Sequence, residues 1–182
     1  MTEKKIILGF TALLAGGKGI ACKYLMEQHG ADKFRFSTVL RDMLARVYLP
    51  DSRKNMQLLS QLLRENFSQD ILSKAVSEDI KVADSKIIVI DGMRRFTDME
   101  HLKNLSGFKL VAIEVDPNVR YERLVKRNEN PGDDKKTYEE FLKDEQAEAE
   151  IEIPAVMKQA DITIDNNGTL EEFYKQLDQL IN

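Results

Sequence analysis

The sequence predicts a doubly wound α/β domain, with a central parallel sheet of about five strands and helices on both faces. Three observations carry this. Near-continuous apolar runs recur along the chain, as strands covered on both faces require. Helical patterns separate these runs, so strands and helices alternate. The chain has 182 residues, enough for one such domain with inserted lobes. No internal repeat or low-complexity tract divides it.

In chain order, the first strand is expected over Lys5–Phe10. A helix carrying Ile20, Ala21, Tyr24 and Leu25 on one stripe follows. The second strand is read at Lys33–Ser37, and Met56–Phe67 repeats Leu58, Leu59, Leu62 and Leu63 at helical spacing. Strands three to five are placed at Ile87–Asp91, Leu110–Asp116 and Asp161–Asp165. The last helix uses Leu170, Phe173, Leu177 and Leu180 and opens on Thr169-x-x-Glu172, a capping box. Two connections exceed what a crossover needs. A helical insert is expected at about 38–85, and a lid-like segment at about 128–150. Both are candidates for lobes that close over a site and exclude water. The acidic stretch Tyr138–Glu152 reads as a solvated helix face.

Composition removes several function classes. A net charge of −4 argues against a nucleic-acid partner. The lone Cys22 cannot form an internal disulfide and fits a reducing compartment. No run approaches the ~18 apolar residues of a membrane span, and the chain enters its first strand with no room for a leader. A cytoplasmic monomer or small homo-oligomer is the expectation. His29 and His101 stand alone, so neither a Cys/His metal site nor a Ser-His-Asp order is indicated.

The chemistry-bearing signals follow strand ends. After the first strand comes Thr11-Ala-Leu-Leu-Ala15-Gly16-Gly17-Lys18-Gly19-Ile20. Strand, glycine-rich turn and helix in that order build a phosphate cradle, in which backbone N–H groups and the helix N-terminus face an anion and Lys18 reaches terminal phosphates. Against the full G-x-x-x-x-G-K-[ST] pattern, Ala12 replaces the first glycine and Gly19 the hydroxyl residue, with Ile20 next. Strand three ends on Asp91-Gly92-Met93-Arg94-Arg95. There the acid can reach a hydrated Mg²⁺ and the arginines offer forks for a phosphate. Ser37, Thr38 and Arg41 lie at the junction after strand two, where one of the hydroxyls could equally be a plain helix cap. Arg120, Arg123 and Arg127 share one face of the helix after strand four, a solvated face or a set of phosphate contacts.

Together these residues resemble the nucleoside monophosphate kinase branch of the P-loop kinases. Gly17-Lys18-Gly19 resembles the Gly-Lys-Gly-Thr of adenylate kinases, and Phe36-Ser37-Thr38 the Ser-Thr opening their monophosphate lobe. Ile90-Asp91-Gly92-Met93-Arg94-Arg95 resembles Asp-Gly-Phe-Pro-Arg, and Glu122-Arg123-Leu124-Val125-Lys126-Arg127 resembles Glu-Arg-Leu-x-x-Arg before the lid. The resemblance implies a three-layer P-loop kinase fold over 1–182 and transfer of the γ-phosphoryl group of ATP, with Mg²⁺, to a nucleoside or deoxynucleoside monophosphate. It further implies that Ala15–Ile20 hold the triphosphate with Lys18, and that Asp91 orients Mg²⁺. The acceptor falls to Ser37, Thr38, Arg41, Arg94 and Arg95, and the moving group to Arg123 and Arg127. Residues Ala160–Glu172 are similar instead to the end of dephospho-coenzyme A kinases, which would need a base such as Asp42 or Asp91. The lid-like segment has Lys135, Lys136 and Lys143 but no arginine. With the missing loop hydroxyl, this leaves a non-catalytic nucleotide-binding protein as a further alternative.

Overall fold

The computed structural model describes residues 5–127, 132–146 and 150–182. Five parallel strands form one sheet: β1 (Ile6–Thr11), β2 (Asp32–Arg35), β3 (Ile87–Asp91), β4 (Phe108–Glu114) and β5 (Ile162–Asp165). Their spatial order is β2-β3-β1-β4-β5. The register sets Leu8 beside Val89 and Gly9 beside Leu110.

Period-two alternation divides the strands' apolar residues between two cores. Ile7, Ile88, Ile90 and Leu110 face α2 (Phe36–Arg46) and α4 (Ile71–Val82), through Leu40, Leu72, Val76 and Ile80. Leu8, Phe10, Val89, Val111 and Ile164 face α1 (Lys18–His29) and α9 (Leu170–Gln179), through Ala21, Leu25, Phe173 and Leu177. This is the three-layer arrangement. Each fully buried Leu, Ile or Phe contributes about 1.5–3 kcal/mol. Gly9 belongs to this packing, since a Cβ there would come within 3.0 Å of the Phe108 ring.

The apolar runs locate β3 as expected and the other long strands within two residues. β2 differs. It ends at Arg35, and Phe36 already starts α2, so Ser37 and Thr38 sit in a helix's first turn and not at a strand end. The reason is tertiary: Phe36, Leu40 and Leu44 fall four apart and are buried together. Within the long insert, α3 (Arg53–Asn66) has no buried residue, whereas α4 has five. α3 therefore stands off the sheet, and α4 belongs to the helical layer.

The short α5 (Phe96–Met99) follows β3, and after β4 come α6 (Pro117–Arg127), α7 (Tyr138–Asp144) and α8 (Ile153–Met157). Part of the expected lid, residues 128–131 and 147–149, lies outside the described residues. The acidic stretch is a solvated face only in part: Glu139, Glu140 and Asp144 are exposed as expected, but other residues of it turn inward. Phe141 of α7 is fully buried, Glu145 pairs with Arg120, and Glu150 pairs with Arg94. Arginines drawn into the fold need carboxylates beside them, and this segment supplies them. Among the described residues, no helix is long and apolar enough to cross a membrane.

Candidate active site

The chain leaves β1 toward one side of the sheet and β4 toward the other, which opens a crevice at the strands' carboxyl edge. The glycine-rich loop sits there. It turns tightly, with Gly16 N–H donating to the Leu13 carbonyl at 3.0 Å. Ala15 (φ 59°) and Gly17 (φ 103°) both take left-handed backbone. Gly17 has a second constraint, because a Cβ there would meet Asn166 Nδ2 at 2.4 Å.

Alternate carbonyls of the loop are tied down by three different elements. Lys18 Nζ donates to Ala12 O at 2.6 Å. Arg120 Nη1 donates to Leu14 O at 3.3 Å, and Asn166 Nδ2 to Gly16 O at 3.1 Å. Arg120 is itself buried, donates to Val115 O at 3.1 Å, pairs with Glu145, and lies 5.3 Å over the Phe141 ring. Burial, then Arg94, press the Lys18 ammonium down to about 8, against the pull of Glu150 and Asp91. Lys18, Asp91, Arg94 and Glu150 thus form one electrostatic unit.

Asp91 ends β3 as expected, but its carboxylate is engaged. Oδ2 accepts from Lys33 Nζ at 2.9 Å and from Arg35 Nη2 at 2.8 Å. Burial works to raise the Asp91 pKa; Lys33 and Arg35 outweigh it and hold the group below its ordinary value. The two loop positions where a metal-linked hydroxyl is expected carry Gly19 and Ile20, and the Ile20 side chain is 42% exposed. Among the described residues, no group of three or more His, Cys, Asp or Glu could hold a metal ion. With no loop hydroxyl and with Asp91 Oδ2 engaged by two cations, the residues present do not supply the usual side-chain hydroxyl and carboxylate contacts to a phosphate-bound Mg²⁺.

Beside Asp91 opens a cleft of about 970 Å³, walled by β3's end, α2 and α3. Arg35, Arg53, Arg64, Arg94 and Arg95 line it, with Ser37, Gln57 and Gln61, over an apolar floor of Phe36, Leu40, Met56 and Leu72. Asp98 organises this wall. Its Oδ2 accepts from the Arg94 and Arg95 N–H groups at 3.0 Å each, and its Oδ1 from Arg64 Nη2 at 3.2 Å. Arg94 also reaches Glu150 at 2.7 Å.

Of the residues singled out in the sequence, Ser37, Asp91, Arg94 and Arg95 meet in this cleft. Thr38 is exposed outside it. Arg41 borders the cleft, donating to Ser37 Oγ at 2.9 Å and to Asp51 at 3.2 Å. Arg123 and Arg127 lie on α6 and do not line the cleft. On that helix it is Arg120 that reaches the loop. Lys135, Lys136 and Lys143 line a separate hollow of about 580 Å³, where Lys136 pairs with Asp144 at 2.6 Å. Sequence reasoning missed Lys33, Arg35, Arg64, Asp98, Glu145 and Asn166. For Arg120 a signal existed, since it shares a buried stripe with Leu124 four residues on.

The chain is similar to known proteins along most of its length. A family model described as an AAA domain matches residues 15–142. A UPF0200 protein of Sulfurisphaera tokodaii is 29% identical over 177 residues, covering 96% of this chain and 95% of the relative. One from Staphylothermus marinus is 30% identical over 91% of this chain and 88% of its own. Among solved structures, TT1252 from Thermus thermophilus superposes with a TM-score of 0.63 at 16% identity, covering 98% of this chain and 97% of that one. A shikimate kinase from Bacteroides thetaiotaomicron gives 0.59 at 14% identity, over 96% of each. These structures share the P-loop kinase fold. On the extent of the family match and the relatives covered along nearly their whole length, the chain belongs to the AAA domain family and to the UPF0200 proteins.

Proposed function

We propose that this chain transfers the γ-phosphoryl group of ATP to a nucleoside or deoxynucleoside monophosphate. The observation that carries the proposal is the arginine-lined cleft at the end of β3, whose Asp91 and Arg94 lie close enough to Lys18 of the loop to act on its charge. Phosphoryl transfer asks a protein chiefly to align two anions and offset developing charge. Residues Ala15–Ile20 with Lys18 hold the triphosphate. Arg94 and Arg95, fixed by Asp98, present forks to the acceptor phosphate, and Arg64 and Arg53 extend cationic charge along α3. Arg41 steadies Ser37 at the rim. Arg123 and Arg127 are assigned to the moving group, and the segment about 128–150 to closing over it. An acceptor that is already a phosphate needs no strong base.

That last point favours a phosphate acceptor over the ribose hydroxyl of dephospho-coenzyme A. A hydroxyl needs a carboxylate to take its proton, and Asp91 is held ionised by two cations, which makes it a poor base. A coupled ADP-release assay across the common mononucleotides and dephospho-coenzyme A tests the proposal. ATP-dependent turnover of at least one monophosphate is expected. Turnover of dephospho-coenzyme A alone moves the chain to that class, and nucleotide binding without turnover makes it a binding module.

A further inference from the structure

Lys33 and Arg35 are two residues apart on β2, so the strand's period puts both on one face, and the register sets Arg35 directly beside Asp91. Both cations converge on the same carboxylate oxygen, Lys33 Nζ at 2.9 Å and Arg35 Nη2 at 2.8 Å and Nε at 2.9 Å. The Lys33 and Asp91 side chains are only 16% and 15% exposed, so solvent and salt screen that contact little, whereas Arg35, 45% exposed, is screened more. Both contacts fall on Oδ2, so a divalent cation approaching this carboxylate would have to come to Oδ1 against the repulsion of two cations already fixed on the group. At the loop, Gly19 offers no side-chain oxygen, and Ile20 none either.

We infer that Lys33 and Arg35 take the metal's place at Asp91: they hold its carboxylate as a fixed counter-charge between β2 and β3, and a divalent cation enters on the nucleotide's own phosphates. Lys33 and Arg35 are positioning residues in this arrangement. The ATP-binding arm of the test rests on the proposed phosphoryl-transfer reading; the stability arm does not.

The test has two readouts. In the first, Mg²⁺ is titrated at fixed fluorescent ATP analogue against wild type, Asp91→Asn and Lys33→Met, and nucleotide binding is followed. Half-saturating Mg²⁺ for Asp91→Asn is expected within twofold of wild type. Lys33→Met, which loosens the clamp on the carboxylate, lowers it at least threefold. A tenfold rise in Asp91→Asn, or an unchanged or raised value in Lys33→Met, overturns the inference. The second readout is thermal unfolding without nucleotide, with and without MgCl₂. The wild-type Tm should not move with Mg²⁺, and Asp91→Asn should lower it by stranding two cations. A wild-type Tm raised by Mg²⁺ alone, with that rise abolished in Asp91→Asn, overturns the inference. If no variant binds ATP, the proposed function fails, and the unfolding data decide this question by themselves.

Discussion

Asp98→Ala tests whether the arginine wall of the cleft is held from beneath. Asp98 is 4% exposed and serves three donors, the N–H groups of Arg94 and Arg95 and the guanidinium of Arg64. The Arg64 side chain is itself 11% exposed, so deleting its carboxylate leaves a shielded charge without its ion pair. Breaking such a pair from one side costs about 3–5 kcal/mol. The Arg64 contacts to the Gln69 carbonyl and Thr97 Oγ1 remain, which points to the lower half of that range. At about 2–4 °C per kcal/mol for a chain of this size, Tm should fall by roughly 6–15 °C. Asp98→Asn keeps one oxygen for either the two N–H groups or Arg64, and should lose about half as much. Differential scanning calorimetry on both variants, with Arg64→Met and the Arg64→Met/Asp98→Asn double variant, gives the coupling. A loss below about 1 kcal/mol for Asp98→Ala, or strict additivity in the cycle, would refute the claim that Asp98 and Arg64 act as one support.

Three further outcomes follow from single residues. Lys18→Met should abolish ATP binding by calorimetry. It should also remove a pH dependence of stability: the unfolded lysine keeps its proton to near 10.5 while the folded one releases it at about 8. Unfolding free energy from this group therefore rises with pH between those values, in urea titrations of wild type but not of the variant. Gly19→Ser should fold normally, since a Cβ there has no atom within 4 Å, and should lower half-saturating Mg²⁺ for ATP binding by supplying the absent hydroxyl; an unmoved curve means the nucleotide is seated elsewhere. Thr11→Val should hold or raise Tm, because the buried Thr11 hydroxyl finds no hydrogen-bond partner among the described residues and an unmet buried polar group costs about 1–3 kcal/mol; a clear loss would show that the hydroxyl has a partner.

What the sequence reveals here is what local pattern can encode. β3, Ile-Ile-Val-Ile-Asp, is apolar to its last residue, so its ends are visible. The capping box of α9 is equally local, and Glu172 N–H does donate to Thr169 Oγ1 at 3.2 Å. β2 is the contrary case. Three of its four residues are charged and only Phe34 is apolar, and Phe36-Ser37-Thr38 has β-forming character that would extend the strand. The packing of Phe36, Leu40 and Leu44 overrides that preference. The phosphate loop was legible because it is a contiguous motif; what holds it was not. Asn166 lies 150 residues from Gly16, and Arg120 lies 106 from Leu14.

The same reasoning explains why the acidic stretch was misread. Helical spacing shows which residues share a face, but not which distant charge that face meets. Glu145 and Glu150 look like surplus surface acids until Arg120 and Arg94 are placed against them. The arginines were equally ambiguous, since a run of like charges on one helix face fits open solvent or bound phosphate. Only folding distinguishes the cases: the shielded guanidinium groups of Arg64 and Arg120 are costly to leave unpaired, whereas Arg35 and Arg94, each 45% exposed, pair at the surface for a smaller gain. Arg35, Arg64, Arg94 and Arg120 each found a carboxylate 25 or more residues away in the chain. A cleft of arginines already held by acids keeps its forks oriented before a ligand arrives. That preorganisation is what a site for two anions requires, and it comes from tertiary pairing that no single segment of the chain displays.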